Sequence, residues 1–502
     1  MLGTSGLQVT GADGWALPAL FRTPQGLYLL ISEAGLELGH AGHHLENRGA
    51  SYRFAPPPPD QGLAEPGRDD LPIPEMSPWR VLMAGDAATV FASTAVTDLS
   101  APRIDRPALA GRVRPGKLAW DWWTHLETGR PARQRRHVDF AAEMGFEYVL
   151  VDANWHRWPE AEKQVQELIA YADERGVDIV LWYNSGGPNN QIQEGPRDRM
   201  HVAAIRQTEF AKLALWGAAG VKVDFWHSDR AVRIASYIEL LEDAAEYGLM
   251  VNVHGSTVPR GWRRTYPNLM TYEAVRGAEF YRFPILSGPS ALDHVRYVLI
   301  RNVVGAMDYT PIVFDAALDD ADLPWAHSLA QGVLFESAWQ HLADTADEEK
   351  RGYRAALERF PFLRDVLRRL PTAWDESVLL SGDPDHHVLV ARRHGGTWWL
   401  AGIHAGSTSW RQEIDLSPIG CRPPRRAQLI RQGERPDELV SEDLELGCRH
   451  RVELPARGGF VMIVDSVATR QAGEGRQQSE AEPGDAEHAE DGRGAHRAQT
   501  GE

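Results

Sequence analysis

The sequence predicts a multidomain α/β protein: a (β/α)8 TIM barrel flanked by a partial N-terminal β-sandwich and a small C-terminal all-β domain. Three observations predict it. From about residue 116, short apolar runs alternate with helical stretches of a dozen residues or more, the signature of parallel strands joined by helices. About eight such units in roughly 250 residues suit a closed barrel better than an open sheet. On both sides of this region the chain reads as short apolar alternations broken by turn residues, which is β-rich patterning.

Residues 1–112 form the expected partial sandwich. Leu27–Ser32 and Arg80–Gly85 are strand-like there, and Pro56–Pro59, Pro66, Pro72 and Pro74 mark loops. The barrel occupies 113–371. Its predicted strands are Lys117–Trp123, Tyr148–Asp152, Asp178–Tyr183, Gly220–Asp224, Leu249–His254 and Leu269–Glu273, with the last two placed at Val303–Tyr309 and Gly332–Glu336. Helices are predicted over 131–144, 159–175, 199–216 and 229–247, with Gly145, Gly176 and Gly248 as stop signals. A further helical stretch covers 350–369. The all-β domain, 372–466, shows Val388–Ala391, Trp398–Gly402, Val452–Pro455 and Phe460–Val464. Residues 467–502 carry no aromatic residue and almost no aliphatics, so a disordered tail is expected.

Length and composition narrow the function. A chain of 502 residues with 43% hydrophobic content suits two or three domains and a sizeable core. A net charge of −17 argues against non-specific nucleic-acid binding, which requires basic patches. Cys421 and Cys448 are too few for a disulfide scaffold and are expected as free thiols. No apolar run is long enough for a membrane span. The N-terminus lacks the basic-then-apolar pattern of a secretory signal, so a cytoplasmic compartment is the default expectation.

The chemistry concentrates in Gly-Val-Lys-Val-Asp-Phe-Trp, 220–226. Lys222 and Asp224 lie two apart on one strand and share a face. In a barrel that face looks inward, and the C-terminal strand end is where catalysis takes place. Asp224 has the features of a carboxylate nucleophile, held ionised by Lys222 beside it; a structural Lys–Asp pair is the alternative. Glu273 and Glu279, six apart, can reach the same mouth from a strand end and its loop. Two carboxylates there are what glycoside hydrolysis needs, the same oxygens suit calcium, and the plain alternative is a pair of solvated loop glutamates. Trp120, Trp122, Trp123, Trp155, Trp158, Trp182, Trp226 and Trp262 fall at or just after strand ends, where flat rings suit pyranose faces; singly each suits core filling. The Gly39–His44 histidines lack the partners of a zinc site.

Several long motifs in order resemble glycoside hydrolase family 97 over about residues 15–465. They are Ser77–Asp86, Arg114–Trp123, Asp139–Asp152, Val221–Phe225, His254-Gly255, Arg264–Asn268, Glu273–Glu279 and Met307–Thr310. The resemblance implies a β-sandwich, a catalytic barrel and a C-terminal β-domain acting on α-glycosides with calcium. It places the chain in the retaining branch, which includes α-galactosidases, because Asp224 is present and the position of the inverting branch's base is Gly255. It implies Asp224 as nucleophile, Glu279 as general acid/base, and Glu33, Glu273 and Glu279 as calcium ligands. Lys222, Asp121, Asn154, His254 and Arg276 are the implied sugar contacts, and an oligosaccharide or α-glycoside the implied substrate. An α-glucosidase on the same machinery and an inactive carbohydrate-binding protein are the alternatives. The sandwich before Trp15–Phe21 is much shorter than the family's, so either it is reduced or the natural start, with any signal peptide, is missing.

Overall fold

A computed structural model of the chain describes residues 2–3, 14–49, 51–58, 61, 68–187, 190–283, 287–315, 318, 321–344, 346, 352–420 and 425–465. The expected disordered tail and Cys421 lie outside the described residues. The N-terminal region holds a four-stranded antiparallel sheet, in the order Leu2–Gly3, Ala19–Arg22, Tyr28–Ala34 and Trp79–Gly85. A three-stranded sheet of Gly14–Trp15, His44–Asn47 and Tyr52–Ala55 accompanies it. Strand alternation gives Tyr28–Ala34 two apolar faces. Tyr28 and Leu30 join the main core, whereas Ile31 packs against Leu17, Ala19 and Leu45.

The barrel strands are β1 (Gly116–Trp120), β2 (Tyr148–Val151), β3 (Asp178–Asn184), β4 (Gly220–Asp224), β5 (Met250–Val253), β6 (Leu269–Tyr272) and β7 (Trp339–Ala343). They form one parallel sheet in the order β6-β5-β4-β3-β2-β1-β7. Between the strands run helices Pro131–Met144, Ala161–Asp173, Ala203–Trp216 and Ala231–Glu246. The first and third end on Gly145 and Gly217 in the left-handed conformation that glycine adopts without a steric penalty.

The last third of the barrel departs from the sequence reading. Val303–Tyr309 forms no strand, because Gly305 has φ 150°, Thr310 has φ 59°, and Pro311 has no N–H to give a ladder. The segment still closes the gap between β6 and β7. Asp308 N donates to Tyr272 O (2.7 Å), Met307 N to Glu336 O (2.8 Å) and Ala343 N to Pro311 O (3.1 Å). Gly332–Leu334 belongs to the helix Trp325–Leu334, and the strand lies later, at Trp339–Ala343. A buried apolar run has no periodicity to separate helix from strand.

The C-terminal domain is a six-stranded antiparallel sheet, in the order Glu376–Asp383, His387–His394, Thr397–His404, Gly459–Asp465, Arg425–Gln432 and Leu439–Leu446, with a separate ribbon of Trp410–Asp415 and Arg449–Leu454. It packs on helix Trp325–Leu334. The approach is close: a Cβ on Gly459 would lie 2.7 Å from His327 Cα. Cys448 is in a disulfide, which corrects the expectation of free thiols.

A buried hydrogen-bond chain crosses this junction. His327 Nδ1 lies 2.7 Å from Arg457 O, so it must carry the proton, and His327 Nε2 then accepts from His294 Nδ1 at 2.9 Å. His294 Nε2 in turn accepts from Tyr309 Oη at 2.7 Å. Both rings are thus neutral in the folded chain, and burial pushes His327 down to about 4. An unfolded histidine titrates near 6.5. Stability is therefore expected to fall as pH drops from about 6.5 to 4, by on the order of 3 kcal/mol from His327 alone. Denaturant melts across that pH range, on wild type and His327→Gln, check it.

Candidate active site

Barrel register assembles the site. Trp182, Lys222, Asn252 and Thr271 are successive partners across β3, β4, β5 and β6, and Asn184 pairs with Asp224 two residues further on. Lys222 and Asp224 therefore share the inward face, as the two-residue period requires. After Asp224 the chain turns sharply, with Phe225 at φ 68° and His227 at φ 51°. Such conformations persist only where the surroundings impose them, and they cluster at functional sites.

Each Asp224 oxygen accepts one hydrogen bond, Oδ1 from Phe225 N (2.7 Å) and Oδ2 from Trp182 Nε1 (3.2 Å). Lys222 Nζ points elsewhere and donates to Asp152 Oδ2 at 3.1 Å; Trp120 Nε1 donates to the same oxygen at 2.7 Å. Burial opposes the Lys222 charge, but Asp152, Asp224 and Glu279 raise its pKa above the ordinary lysine value. Asp224 itself is pushed up by burial, then by Glu273 and Asp152, against the pull of His254 and Lys222. Lys222 favours the ionised form of Asp224, as the sequence reading has it, but does so without pairing with it: its ion-pair partner is Asp152, and burial outweighs the pull.

His254 follows β5 and bridges two carboxylates. Its Nε2 lies 2.7 Å from Asp308 Oδ2 and its Nδ1 lies 3.7 Å from Glu273 Oε2. Burial and Lys222 disfavour the imidazolium, but Glu273 and Asp308 push His254 up to about 9, so it is cationic at neutral pH. Asp308 Oδ2 also accepts from Asn252 Nδ2 (2.7 Å) and lies 2.9 Å from His341 Nδ1. Glu273 Oε2 accepts from Gly255 N at 2.6 Å. Burial, then the neighbouring Glu273 carboxylate, raises Glu279 to about 8. Single donor atoms of His254, Glu273 and Glu279 all lie within 4.8 Å of one another.

Gly255 separates the two ends of this cluster. It has φ 54°, and a Cβ there would stand 3.0 Å from the Phe225 backbone and 3.2 Å from Asp224 Oδ1. A side chain at 255 would therefore press on the Phe225 backbone and crowd the Asp224 carboxylate. Gly255→Ala is expected to lower stability by about 1–3 kcal/mol through backbone strain, and to lower turnover further by displacing Asp224. Thermal melts alongside initial rates separate the two effects.

Of the sequence-predicted residues, the structure brings together Lys222, Asp224, His254, Glu273 and Glu279. Glu33 is held elsewhere. It accepts from Arg260 Nε (2.7 Å), Arg80 Nη1 (2.6 Å) and His43 N (2.6 Å), and lies 3.0 Å from His43 Nδ1. Burial alone would raise its pKa, but Arg260 and His43 pull it down to about 2. Glu33 thus ties the N-terminal sheet to the segment after β5. Asn154 Oδ1 accepts from Gly195 N (3.2 Å), Arg276 Nη1 donates to Ser287 O (3.1 Å), and Asp121 Oδ2 accepts from Gln134 Nε2 (2.8 Å). Asn154 thus links the segment after β2 to the one after β3, Asp121 the end of β1 to helix Pro131–Met144, and Arg276 two parts of the segment after β6. For a hard cation, Glu273 and Glu279 offer the oxygen chemistry calcium takes, whereas the imidazole nitrogen of His254 and the fully engaged Glu33 do not.

Sequence reasoning left Asp152 and Asp308 without roles. Asp152 had a usable signal: Tyr-Val-Leu-Val-Asp ends a strand as Val-Lys-Val-Asp224 does. The tryptophan set reads differently in the structure. Trp123, Trp155, Trp158, Trp226 and Trp262 are buried, and their indole N–H groups donate to backbone carbonyls, while Trp120 and Trp182 serve Asp152 and Asp224.

Three regions of the chain match one family of known proteins. Residues 118–275 match the family described as Glycoside hydrolase 97, 3–102 its N-terminal region, and 373–465 its C-terminal region, described with the word oligomerisation. The chain is 34% identical over 463 residues to a "Probable retaining alpha-galactosidase" of Streptomyces bingchenggensis (strain BCW-1), covering 89% of this chain and 66% of that protein. It is 30% identical over 430 residues to a "Retaining alpha-galactosidase" of Bacteroides thetaiotaomicron, covering 78% of this chain and 60% of that one. The chain thus spans a little under two thirds of the length of these relatives. A solved structure of a β-arabinopyranosidase superposes with TM-score 0.80 at 29% identity, over 90% of this chain and 72% of that one. With all three regions matched in order around the Asp224 and Glu273 cluster, the chain belongs to glycoside hydrolase family 97.

Proposed function

We propose that the chain is a retaining α-glycosidase of the α-galactosidase type, with Asp224 as nucleophile and Glu279 as general acid/base. The observation that carries it is the placement of Asp224 at the inward end of β4, against Gly255, where a side chain would crowd its carboxylate, in the same cluster as Glu273 and Glu279. Glu279, raised to about 8, is protonated at neutral pH and can protonate the leaving oxygen. Asp224 attacks the anomeric carbon as that bond breaks. The glycosyl-enzyme ester is then hydrolysed by a water that Glu279, now ionised, deprotonates. Trp182 and Phe225 N–H groups hold the Asp224 oxygens in place.

We infer calcium at Glu273 and Glu279; when bound, it supplies positive charge to a carboxylate-rich cluster and a ligand position for a sugar hydroxyl. The disulfide at Cys448 suits an oxidising compartment. Among the described residues no helix is long and apolar enough to cross a membrane.

The β-arabinopyranosidase similarity favours one second reading. A β-L-arabinopyranoside has the ring hydroxyls of an α-galactoside without the hydroxymethyl group, so the same nucleophile and acid serve both. The test is hydrolysis of paired nitrophenyl α-galactoside, α-glucoside and β-L-arabinopyranoside, with calcium and with chelator, following the first anomer by NMR. Initial α-galactose, or initial β-arabinose, supports the retaining reading. Initial inverted product sinks Asp224 as nucleophile. No turnover on any of the three favours the binding-protein reading, and an unchanged rate and melting temperature with chelator removes calcium.

A further inference from the structure

Arg301 is among the largest fully buried side chains, and among the described residues no carboxylate forms an ion pair with it. Burying a guanidinium without a carboxylate is costly, and here burial lowers its pKa to about 9. Its donors go instead to four backbone carbonyls. Nε donates to Ala274 O (3.0 Å) and Nη2 to Glu273 O (3.1 Å). Nη1 donates to Gly305 O (3.1 Å) and Nη2 also to Ala306 O (3.0 Å). One planar fork thus holds two loops at once: the turn that leaves β6 with Glu273 and leads to Glu279, and the segment that leads to Asp308.

Two independent features show that this position is under constraint. Ala274 has φ 38°, a strained conformation for a residue with a Cβ, and its carbonyl is the one Arg301 Nε holds. Arg301 itself ends a π-helical turn, Tyr297–Arg301, a rare local geometry frequent at functional sites. The widened turn ends on the residue whose side chain reaches the Glu273 and Ala274 carbonyls. Arg rather than Lys is required, because only a guanidinium presents enough fixed donors for four acceptors.

We propose that Arg301 is a positioning residue for the catalytic acid: it locks the strained Glu273–Ala274 turn against the Gly305–Asp308 segment and so fixes where Glu279 stands. This rests on the acid/base role given to Glu279 above. The prediction is a selective loss. Arg301→Lys keeps the charge but not the fork, so the turn loosens while the barrel stays folded. Protonation of a poor leaving group then suffers, whereas a leaving group that departs without a proton is little affected.

The experiment compares wild type, Arg301→Lys and Arg301→Met by two readouts. For a phenyl α-galactoside, kcat/KM is expected to fall about 100-fold, and for a dinitrophenyl α-galactoside less than about 5-fold. Amide hydrogen exchange is expected to rise about 10-fold in 273–282 and 305–310 and to stay unchanged in β2–β4. Equal losses on both substrates, or unchanged exchange in those two segments, overturns the proposal. If neither variant folds, Arg301→Gln, which keeps a buried amide donor but neither the fork nor the charge, must show the same substrate split; equal losses on the two substrates overturn it. Wild-type inactivity on every α-glycoside would instead bring down the functional reading, and the exchange measurement would still decide the role of Arg301 in holding the turn.

Discussion

Asp224→Ala is expected to lower kcat at least about 10⁴-fold on any α-glycoside the wild type hydrolyses, because the step that forms the glycosyl-enzyme loses its nucleophile. Trp182 and Phe225 would still present their N–H groups to the space it leaves, and that space would suit a small anion. Azide added to the variant should restore turnover of an activated α-galactoside and yield the β-glycosyl azide, a single displacement replacing two. Stability should move the other way. Asp224 is pushed up by burial and by Glu273 and Asp152, so the folded chain disfavours its charge. Removing it relieves repulsion, and the melting temperature is expected to hold or rise, as when other sites trade stability for activity. Residual activity above about 1% of wild type, or an azide product of α configuration, would rule out Asp224 as nucleophile.

The parts of this site that were legible in the sequence share a property: they lie on regular strands. Lys222 and Asp224 are placed by a two-residue period on one apolar strand, and Glu273 by the end of another, so their inward orientation follows from alternation alone. What was not legible depends on register or on irregular backbone. Asp152 faces Lys222 only because β2, β3 and β4 pair in one particular register, which a single sequence does not state. Asp308 sits on a segment that closes the barrel without forming a ladder, since Gly305 and Thr310 depart from strand dihedrals and Pro311 has no N–H to donate. Glu33 shows the opposite failure. Its strand was correctly read, but a carboxylate's partners come from distant segments, and here Arg80 and Arg260 claim it. The tryptophans misled for a similar reason, because strand-end position does not tell a ring facing the mouth from one facing the core.

Glu279→Gln should separate the two halves of the reaction. Removing the acid leaves Asp224 able to attack an activated glycoside, so a dinitrophenyl substrate is expected to show a burst followed by slow turnover as the glycosyl-enzyme accumulates. A phenyl substrate should lose about 10³-fold in kcat/KM, because its leaving oxygen now departs unprotonated. The pH dependence follows from the direction of the shift. Burial and Glu273 raise Glu279 to about 8, so the acid form persists through neutrality and wild-type kcat/KM should fall above pH 8; on the acid side it should fall as Asp224, itself pushed up by burial, takes up a proton and can no longer attack. In Glu279→Gln that alkaline limb should vanish, since the amide does not titrate. A cation at Glu273 and Glu279 would favour the ionised form and move the limb to lower pH, so saturating calcium and chelator should give displaced profiles in the wild type and superimposable ones in the variant. An alkaline limb that survives the substitution would assign the acid to another group, with the cationic His254, at about 9, the first to test.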